Sequence, residues 1–328
     1  MKRWLGNFLA LAGSAAVMAA GFEVACRTVL DTGVQYHLEM WKYAVGLKRI
    51  SADPEIGHEH VPGSHANLMG HEATINSQGL RDREIALAKP AGTKRILMLG
   101  DSIIFGWGVG QDETLPVQLE RDLAGTTGDP VEVINTGVGN YNTAMEVAYF
   151  LAHGIAYTPD IVILNYFIND AEPTPVYRDV PWLARHAYSY AVLGGAWDGF
   201  KRRFTGEEQD WRSYYASLYA EGAPGWQQAQ KKVGELAAYC RSHGIRLIMT
   251  NIPELRELKP YAFPDVQSKI RDLAAANSIE YVDLLPAVQA EDPKTLWVTV
   301  PDPHPNARAQ ALMARELAGY LTKGVPGL

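Results

Sequence analysis

Four short polar blocks contain the side chains best suited to catalysis. In chain order they are Gly100-Asp101-Ser102, residues 135–140, Asn169-Asp170 and Asp302-Pro303-His304. A serine hydroxyl is a poor nucleophile at neutral pH, and it becomes a good one when an imidazole accepts its proton and a carboxylate fixes the imidazole tautomer. All three side-chain types occur in these blocks, so the sequence predicts acyl transfer to a serine.

The first three blocks each follow a predicted strand. Apolar runs that alternate with helices are typical of a parallel sheet covered on both faces, which indicates an α/β fold in three layers. The predicted strands span residues 95–99, 131–135, 161–165, 245–251 and 279–283, and the predicted helices span residues 115–123, 143–153, 226–242, 266–277 and 306–321. Because open α/β sheets bind ligands at the carboxyl ends of their strands, we expect the polar blocks to meet there.

Position alone also suggests how an oxyanion would be stabilised. Ser102 lies where a strand turns into a helix, so the amides and the dipole of that helix would face an oxyanion formed beside its hydroxyl. Asn169, at the end of another strand, could donate a side-chain N–H to the same oxygen.

These four blocks, in this order, resemble the SGNH/GDSL hydrolase family, and the resemblance covers about residues 94–321. It implies a parallel, flavodoxin-like sheet within an α/β/α domain. It also implies a triad of Ser102 as nucleophile with Asp302 and His304, and an oxyanion hole made by Ser102, Gly139, Asn140 and Asn169. The resemblance implies no cofactor and no metal ion.

The stretches GDSIIFGWGV, INTGVGNYNT and YFIND look similar to the membrane-anchored members of this family in bacterial envelopes. Some relatives in the wider family acylate or deacylate exopolysaccharide and peptidoglycan. We therefore expect a serine esterase that removes ester-linked acyl groups, O-acetyl above all, from an envelope or exopolysaccharide carbohydrate, with envelope polysaccharide machinery as a candidate partner. Two alternatives stay open: a carbohydrate O-acyltransferase with the same triad, and a non-catalytic envelope scaffold.

Three positions depart from the family pattern. Phe167 replaces the usual glycine of the third block, which narrows the room beside Asn169, and Asn140 aligns with the usual glycine of the second block. The family places its aspartate three residues before the histidine, where this chain has Pro301. Asp302 is one residue nearer, and Asp283 is the alternative orienting carboxylate.

The N-terminus carries a membrane-targeting segment. Lys2 and Arg3 precede residues 4–22, which are uncharged and rich in Ala, Leu and Val. The segment is interpreted first as an uncleaved anchor, with a signal cleaved near residues 19–21 and a buried helix of a soluble protein as the alternatives. The preceding positive charges favour a periplasmic catalytic domain. The predicted organisation is an anchor or signal at 1–24, an irregular extension at 25–92 with a helix up to about residue 47, and the hydrolase domain at 93–328.

Composition excludes several other classes of protein. The 328 residues include 30 Lys+Arg and 37 Asp+Glu, and without a basic block this makes nucleic acid an unexpected partner. Two cysteines, Cys26 and Cys240, cannot form a disulfide framework or a cysteine-based zinc site. Four histidines in the extension invite a metal hypothesis, but no matching carboxylate pattern accompanies them, and hydrogen-bonding roles are favoured: His58, His60, His65 and His71.

Aromatic residues are concentrated between Tyr177 and Trp226. Twelve of these fifty residues are aromatic, against 10% for the whole chain. Two interpretations are open for this predicted insertion at about residues 172–226. Its aromatic side chains either form the core of a helical insertion, or they form a lid or groove that stacks on sugar rings.

Overall fold

The N-terminal part of the chain forms a long apolar helix, a second helix and two short β-ribbons. The computed structural model describes residues 2–127, 130–176, 180–205, 210–300 and 302–323. The N-terminal elements are α1 (Lys2–Ala25), a π-helical turn (Cys26–Leu30), α2 (Tyr36–Leu47), β1 (Lys48–Ile50), β2 (His58–His60), β3 (His65–Leu68) and β4 (His71–Thr74). β1 pairs with β2 and β3 pairs with β4, both antiparallel. The extension is therefore more regular than its sequence suggested.

The helix expected to reach about residue 47 is interrupted. The chain leaves the helical conformation at Asp31 and re-enters it at Tyr36. Gly33 has a left-handed backbone (φ +75°), and a Cβ built there would lie 3.1 Å from the Gly70 nitrogen. The break thus lets this segment pack against the β3–β4 turn.

Five parallel strands form the central sheet. They are β5 (Lys94–Leu99), β6 (Val131–Asn135), β7 (Ile161–Tyr166), β8 (Arg246–Asn251) and β9 (Glu280–Asp283). Their spatial order is β6-β5-β7-β8-β9, which is the flavodoxin-like order 2-1-3-4-5. The fold-class prediction is confirmed, and the predicted strand ends agree with these bounds to within one residue.

Helices cover both faces of the sheet. From β5 onward they are α3 (Ser102–Phe105), α4 (Leu115–Thr127), α5 (Thr143–Ala152), α6 (Trp182–His186), α7 (Tyr188–Thr205), α8 (Trp211–Leu218), α9 (Pro224–Ser242), α10 (Pro264–Ala276), α11 (Leu285–Val288) and α12 (Ala307–Lys323). Successive side chains of a strand point to opposite faces, so Ile96 and Met98 pack with α4, α11 and α12, whereas Leu97 and Leu99 pack with α5, α9 and α10. These two cores hold the strand ends, and therefore the polar blocks, in fixed positions.

The aromatic-rich insertion divides into two parts. Tyr219 and Trp226 are buried, and the Tyr219 hydroxyl lies 3.1 Å from that of Tyr166 in the core. By contrast, α6 and α7 expose large side chains, among them Trp182 and Trp197. The core interpretation therefore fits the second half of the insertion but not the first. Tyr177, at its start, lies outside the described residues.

A short hairpin that the sequence did not predict carries the last polar block. Its strands are β10 (Trp297–Thr299) and β11 (Asp302–Pro305), which pair antiparallel. Pro301, between them, lies outside the described residues. Residues two apart on a strand share a face, so β11 presents Asp302 and His304 on the same side.

Candidate active site

Three of the predicted residues form a continuous hydrogen-bonded line. Ser102 Oγ lies 2.9 Å from His304 Nε2, and His304 Nδ1 lies 2.5 Å from Asp302 Oδ1. With the Nδ1 proton donated to the carboxylate, Nε2 is left as the acceptor for the serine proton. Ser102 and His304 are 202 positions apart in the chain, and the sheet and the β10–β11 hairpin bring them together.

The carboxylate of Asp302 is buried and fully engaged. Its other oxygen accepts a hydrogen bond of 2.8 Å from Trp107 Nε1. Burial would raise the pKa of Asp302, but hydrogen bonds from His304 and Trp107 hold that pKa below its usual value. The group is therefore ionised at neutral pH, as a histidine-orienting carboxylate must be.

Asp283, the alternative orienting residue, is engaged at a different place. It lies at the end of β9, where Gln267 Nε2 donates to it at 2.6 Å and Asn251 Nδ2 at 3.4 Å. The structure thus pairs His304 with Asp302 despite the shortened spacing. Asp302, two residues before His304 on β11, therefore makes the contact with the histidine that the family pattern assigns to an aspartate three residues before it.

Local backbone features present the Ser102 hydroxyl. Asp101 caps α3 by accepting a 2.8 Å hydrogen bond from the Ile103 nitrogen. No side chain fits at Gly100, since a Cβ there would lie 2.3 Å from Ile104 Cγ1. The turn after the strand is therefore tight, and it leaves Ser102 partly exposed at the sheet edge.

Asn169 lines the same cavity as Ser102. Its Nδ2 is 3.5 Å from Asp101 Oδ2, and its Oδ1 has no hydrogen-bond partner among the described residues. The turn that presents it is fixed by buried Asp170, which accepts hydrogen bonds from the Phe167 nitrogen and the Thr143 hydroxyl. Burial, together with the nearby Asp101 charge, raises the pKa of Asp170 well above its usual value.

The structure separates the two amides predicted for the second block. The Gly139 N–H already donates to the Tyr43 hydroxyl at 2.7 Å, so it is not free for an oxyanion, and this corrects the Gly139 prediction. Asn140 has a left-handed backbone (φ +68°) and an exposed side chain. Within the described part of the chain, its N–H and that of Ser102 donate to no protein acceptor. These two amides and Asn169 are the remaining donors.

A buried polar wall, formed by Tyr43, Lys48, His58 and His60 of the N-terminal extension, supports the Gly139–Asn140 loop. Lys48 Nζ donates to the Gly139 carbonyl at 2.6 Å and to Asn140 Oδ1 at 2.8 Å, and His58 Nε2 lies 2.9 Å from the same carbonyl. The Tyr43 hydroxyl, which accepts from Gly139, lies 2.8 Å from a nitrogen of His60.

Burial disfavours positive charge on the basic side chains of this wall. Burial lowers the pKa of Lys48 well below its usual value. Burial, and then the charge of Lys48, lower the pKa of His58 to about 2 and that of His60 to about 3. Both histidines are therefore neutral hydrogen-bonding groups at physiological pH. The roles of Tyr43 and Lys48 in this wall were not predicted, because no motif in the sequence marks either residue. Among the described residues, no group of three or more His, Cys, Asp or Glu could hold a metal ion.

We expect Tyr43→Phe to impair both stability and turnover. The change leaves the buried Gly139 N–H and the His60 nitrogen without their partner, which costs about 1–3 kcal/mol of unfolding free energy. The loosened loop should lower kcat about tenfold, because the Asn140 amide is no longer held in position. Urea unfolding and steady-state kinetics measure the two effects. Tyr281→Phe is the matched control, since the Tyr281 hydroxyl has no partner in the described structure; equal losses in both variants would contradict this role of the wall.

A cavity of about 340 Å³ opens above Ser102. Besides the catalytic residues, aromatic and charged side chains contribute to its lining, among them Tyr36, Trp107, Phe167, Tyr215, Glu172 and Arg256. Glu172 accepts a 2.7 Å hydrogen bond from the Tyr214 hydroxyl, and Arg256 is paired with Glu254 at 2.6 Å. The triad and the candidate oxyanion donors thus face a small, mixed polar and aromatic space.

Several solved structures match the chain at low sequence identity. TesA is 18% identical, with a TM-score of 0.47, and the match covers 70% of this chain and 99% of that one. The lipase/acylhydrolase from Enterococcus faecalis is 15% identical (TM-score 0.43; 72% and 98% covered). A variant of Axe2, an acetyl-xylooligosaccharide esterase from Geobacillus, is 16% identical (TM-score 0.44; 71% and 95% covered). No curated protein gives a significant match.

The family comparison is more direct. The model of the GDSL-like lipase/acylhydrolase family matches residues 98–312, which is more than half of the chain and includes all four polar blocks. The resemblance noted in the sequence is confirmed, and the chain belongs to the GDSL-like lipase/acylhydrolase family, whose members are carboxylic ester hydrolases.

Proposed function

We propose that this chain is a serine esterase that removes O-acetyl groups from an envelope or exopolysaccharide carbohydrate through an acyl-enzyme on Ser102. The observation that carries the proposal is the hydrogen-bonded line from Ser102 through His304 to Asp302 at the base of an open cavity. Such a line is the arrangement that activates a serine hydroxyl for attack on a carbonyl.

The reaction follows from these positions. Ser102 Oγ attacks the ester carbonyl while its proton moves to His304 Nε2, and the resulting oxyanion is stabilised by the Ser102 and Asn140 N–H groups and Asn169 Nδ2. Collapse breaks the bond to the alcohol, which leaves with the proton from His304. Water then attacks the acyl-enzyme carbonyl while its proton moves to His304 Nε2. The bond between the acyl carbon and Ser102 Oγ breaks, His304 returns the proton to Ser102, and the acid is released.

The cavity supports a small acyl group on a polar alcohol. Its volume is near the lower end for ligand pockets, which run from about 300 to 1,000 Å³. Phe167 stands where the family has glycine, which limits the room beside Asn169 for a long acyl chain. The Glu172 carboxylate and the Arg256 guanidinium can bond to hydroxyl groups, and Tyr36 and Tyr215 offer aromatic surface to a sugar ring.

The test compares acyl lengths and alcohols. Acetyl, butyryl and octanoyl esters of one chromogenic alcohol should rank in that order of kcat/KM, with acetyl ahead of octanoyl by about tenfold or more. Acetate release from acetylated polysaccharides, with Ser102→Ala as the blank, then identifies the carbohydrate. A preference for octanoyl esters would overturn the acetyl assignment. If acetyl transfer to an added sugar is faster than hydrolysis, the protein is instead a carbohydrate O-acyltransferase.

The oxyanion donors can be tested with two asparagines. We expect Asn169→Ala to lower kcat by about 10²- to 10³-fold with a smaller change in KM, because its side-chain N–H acts mainly in the transition state. Asn140→Gly keeps the backbone N–H and suits the left-handed φ, although it removes one acceptor from Lys48. Its loss should stay below about tenfold. Similar large losses in both variants would mean that the Asn140 side chain itself contacts the substrate.

We also propose that α1 anchors the protein, with the catalytic domain outside the cytoplasm. One helical stretch of the described chain, Arg3–Leu30, is long and apolar enough to cross a membrane, and none of its most apolar window is buried. The alternative is a signal segment that is cleaved after export.

Two truncations should separate anchoring from folding. Deleting residues 1–20 should give a soluble enzyme with unchanged kcat/KM on a soluble ester, because the polar blocks begin far downstream. Deleting residues 1–24 also removes Glu23, whose carboxylate accepts hydrogen bonds from the Tyr188 and Ser189 nitrogens, so the insertion should become more sensitive to protease. Membrane fractionation with an alkaline carbonate wash, which strips peripheral proteins, checks the anchoring, and ester assays and limited proteolysis check the other outcomes; a 1–20 deletion that stays in the membrane after the wash would contradict the anchor.

A further inference from the structure

The α7 helix carries an apolar face that points away from the rest of the protein. Tyr190, Leu193, Trp197 and Phe200 follow a three-four-three spacing, which places them on one stripe of the helix, and each is more than half exposed. The opposite side is formed by small residues, since Ala191 is buried and a Cβ at Gly195 would lie 3.0 Å from His37 Cβ. Helices of soluble proteins normally show the reverse pattern.

The preceding helix extends this surface. Trp182 and Leu183 of α6 are 72% and 64% exposed. Together with the stripe on α7 they form what we term the outer face: Trp182, Leu183, Tyr190, Leu193, Trp197 and Phe200. Six exposed large apolar side chains on two successive helices, four of them aromatic, are typical of an interaction surface.

The end of α1 is attached to the start of this face. Glu23 of α1 caps α7, because its carboxylate accepts hydrogen bonds of 2.9 and 2.8 Å from the Tyr188 and Ser189 nitrogens. Arg27 donates to the His186 carbonyl, and its guanidinium lies 4.5 Å from the centre of the Tyr188 ring. The first residues of α7 therefore lie next to the end of α1, so a lipid bilayer that surrounds the exposed apolar surface of α1 would also lie close to the start of α7.

We propose that the outer face rests on the lipid bilayer that α1 enters. This inference depends on the anchoring proposed above and adds a second, peripheral contact to it. Tryptophan and tyrosine favour the membrane–water interface, and α7 is about 27 Å long at 1.5 Å per residue, enough for a stable interfacial contact. Lys201 Nζ lies 6.0 Å from the Trp197 ring centre, which places an ammonium group at the edge of the face, at headgroup level.

This contact would fix the active site relative to the membrane through α2. Trp41 Nε1 donates to the Ala184 carbonyl at 2.7 Å, and His37 packs on Gly195, so α2 lies against α6 and α7. The same helix supplies Tyr36, Met40 and Tyr43 to the wall of the catalytic cavity. A bilayer-bound outer face therefore holds the cavity at a set distance from the lipid surface.

The test places a fluorophore on each side of α7 in the full-length protein. Leu193→Cys puts it on the outer face, and Asp198→Cys is the matched control, because Asp198 is also exposed but lies about 140° around the same helix. Native Cys26 and Cys240 are buried and should not be labelled. The labelled proteins are reconstituted in phosphatidylcholine–phosphatidylglycerol vesicles that contain nitroxide lipids.

We expect quenching at position 193 to exceed that at position 198 by about threefold or more, and Trp197→Ser with Phe200→Ser should reduce it. Equal quenching at both positions, or none at 193, would overturn the inference. Shielding of position 193 that depends on protein density and not on nitroxide would show that a second copy covers the face, which also overturns it. Flotation with the vesicles is measured in parallel: protein that fails to float refutes the anchor, whereas floating protein without quenching refutes only the outer-face contact.

Discussion

Ser102→Ala should lower kcat for ester hydrolysis by about 10⁵- to 10⁶-fold while leaving the unfolding free energy nearly unchanged. The hydroxyl makes a single 2.9 Å contact with His304 and a longer one of 3.3 Å with Asp101, and it lies at a partly exposed strand end. Its removal thus abolishes the nucleophile without opening a core cavity. Residual activity would come from substrate binding and the oxyanion donors alone.

Labelling and double variants make this result specific. A serine-directed phosphonate should modify the wild-type chain and not Ser102→Ala, and Ser268→Ala, at a half-buried position of α10 outside the catalytic cavity, should behave as wild type. His304→Ala should lose about as much activity as Ser102→Ala, and the double variant little more, because the two residues act as a unit. Wild-type activity in Ser102→Ala would overturn the serine mechanism; a double variant far slower than either single one would contradict the coupling.

Asp302→Asn should produce the second largest loss, about 10³- to 10⁴-fold in kcat. An asparagine amide at this place donates to His304 Nδ1, which moves the proton to Nε2, where it can no longer accept from Ser102. The Trp107 contact would persist through the remaining oxygen, so the unfolding free energy should change much less than the rate.

Asp283→Asn is the matched control for this prediction. Asp283 is also a hydrogen-bonded carboxylate at the end of a strand, half-buried where Asp302 is buried, but its partners are Gln267 and Asn251 rather than the histidine. Its replacement should change kcat only a few-fold. A large loss of kcat in Asp283→Asn, with a near-normal kcat in Asp302→Asn, would show that Asp283 and not Asp302 orients His304.

The sequence predicted the sheet well because the strands are continuous apolar runs whose burial is decided locally. The runs around Leu97 and Ile163 are buried on both faces, so both their positions and their parallel arrangement could be inferred. The strand order also places Ser102, Asn140 and Asn169 after adjacent strands, at the point where the order reverses.

The support for Gly139 could not be predicted in the same way. Its amide is bound by Tyr43, which lies 96 residues earlier in a segment without a recognisable motif. Nothing in the local pattern around Tyr43 or Lys48 distinguishes a buried hydrogen-bonding group from a surface one. The hairpin that carries Asp302 was missed for a related reason, since its strands have only three and four residues and no apolar alternation.

The distance along the chain between Ser102 and His304 has a consequence for biosynthesis. The ribosome synthesises the nucleophile Ser102 long before the base His304. In the same way, Tyr43 is synthesised well before Gly139, whose amide it binds in the folded protein. Nascent molecules therefore contain a serine without an activating imidazole. Hydrolytic competence begins only when the β10–β11 hairpin has folded and placed His304 beside Ser102, so a chain whose synthesis has not reached this hairpin cannot use its nucleophile.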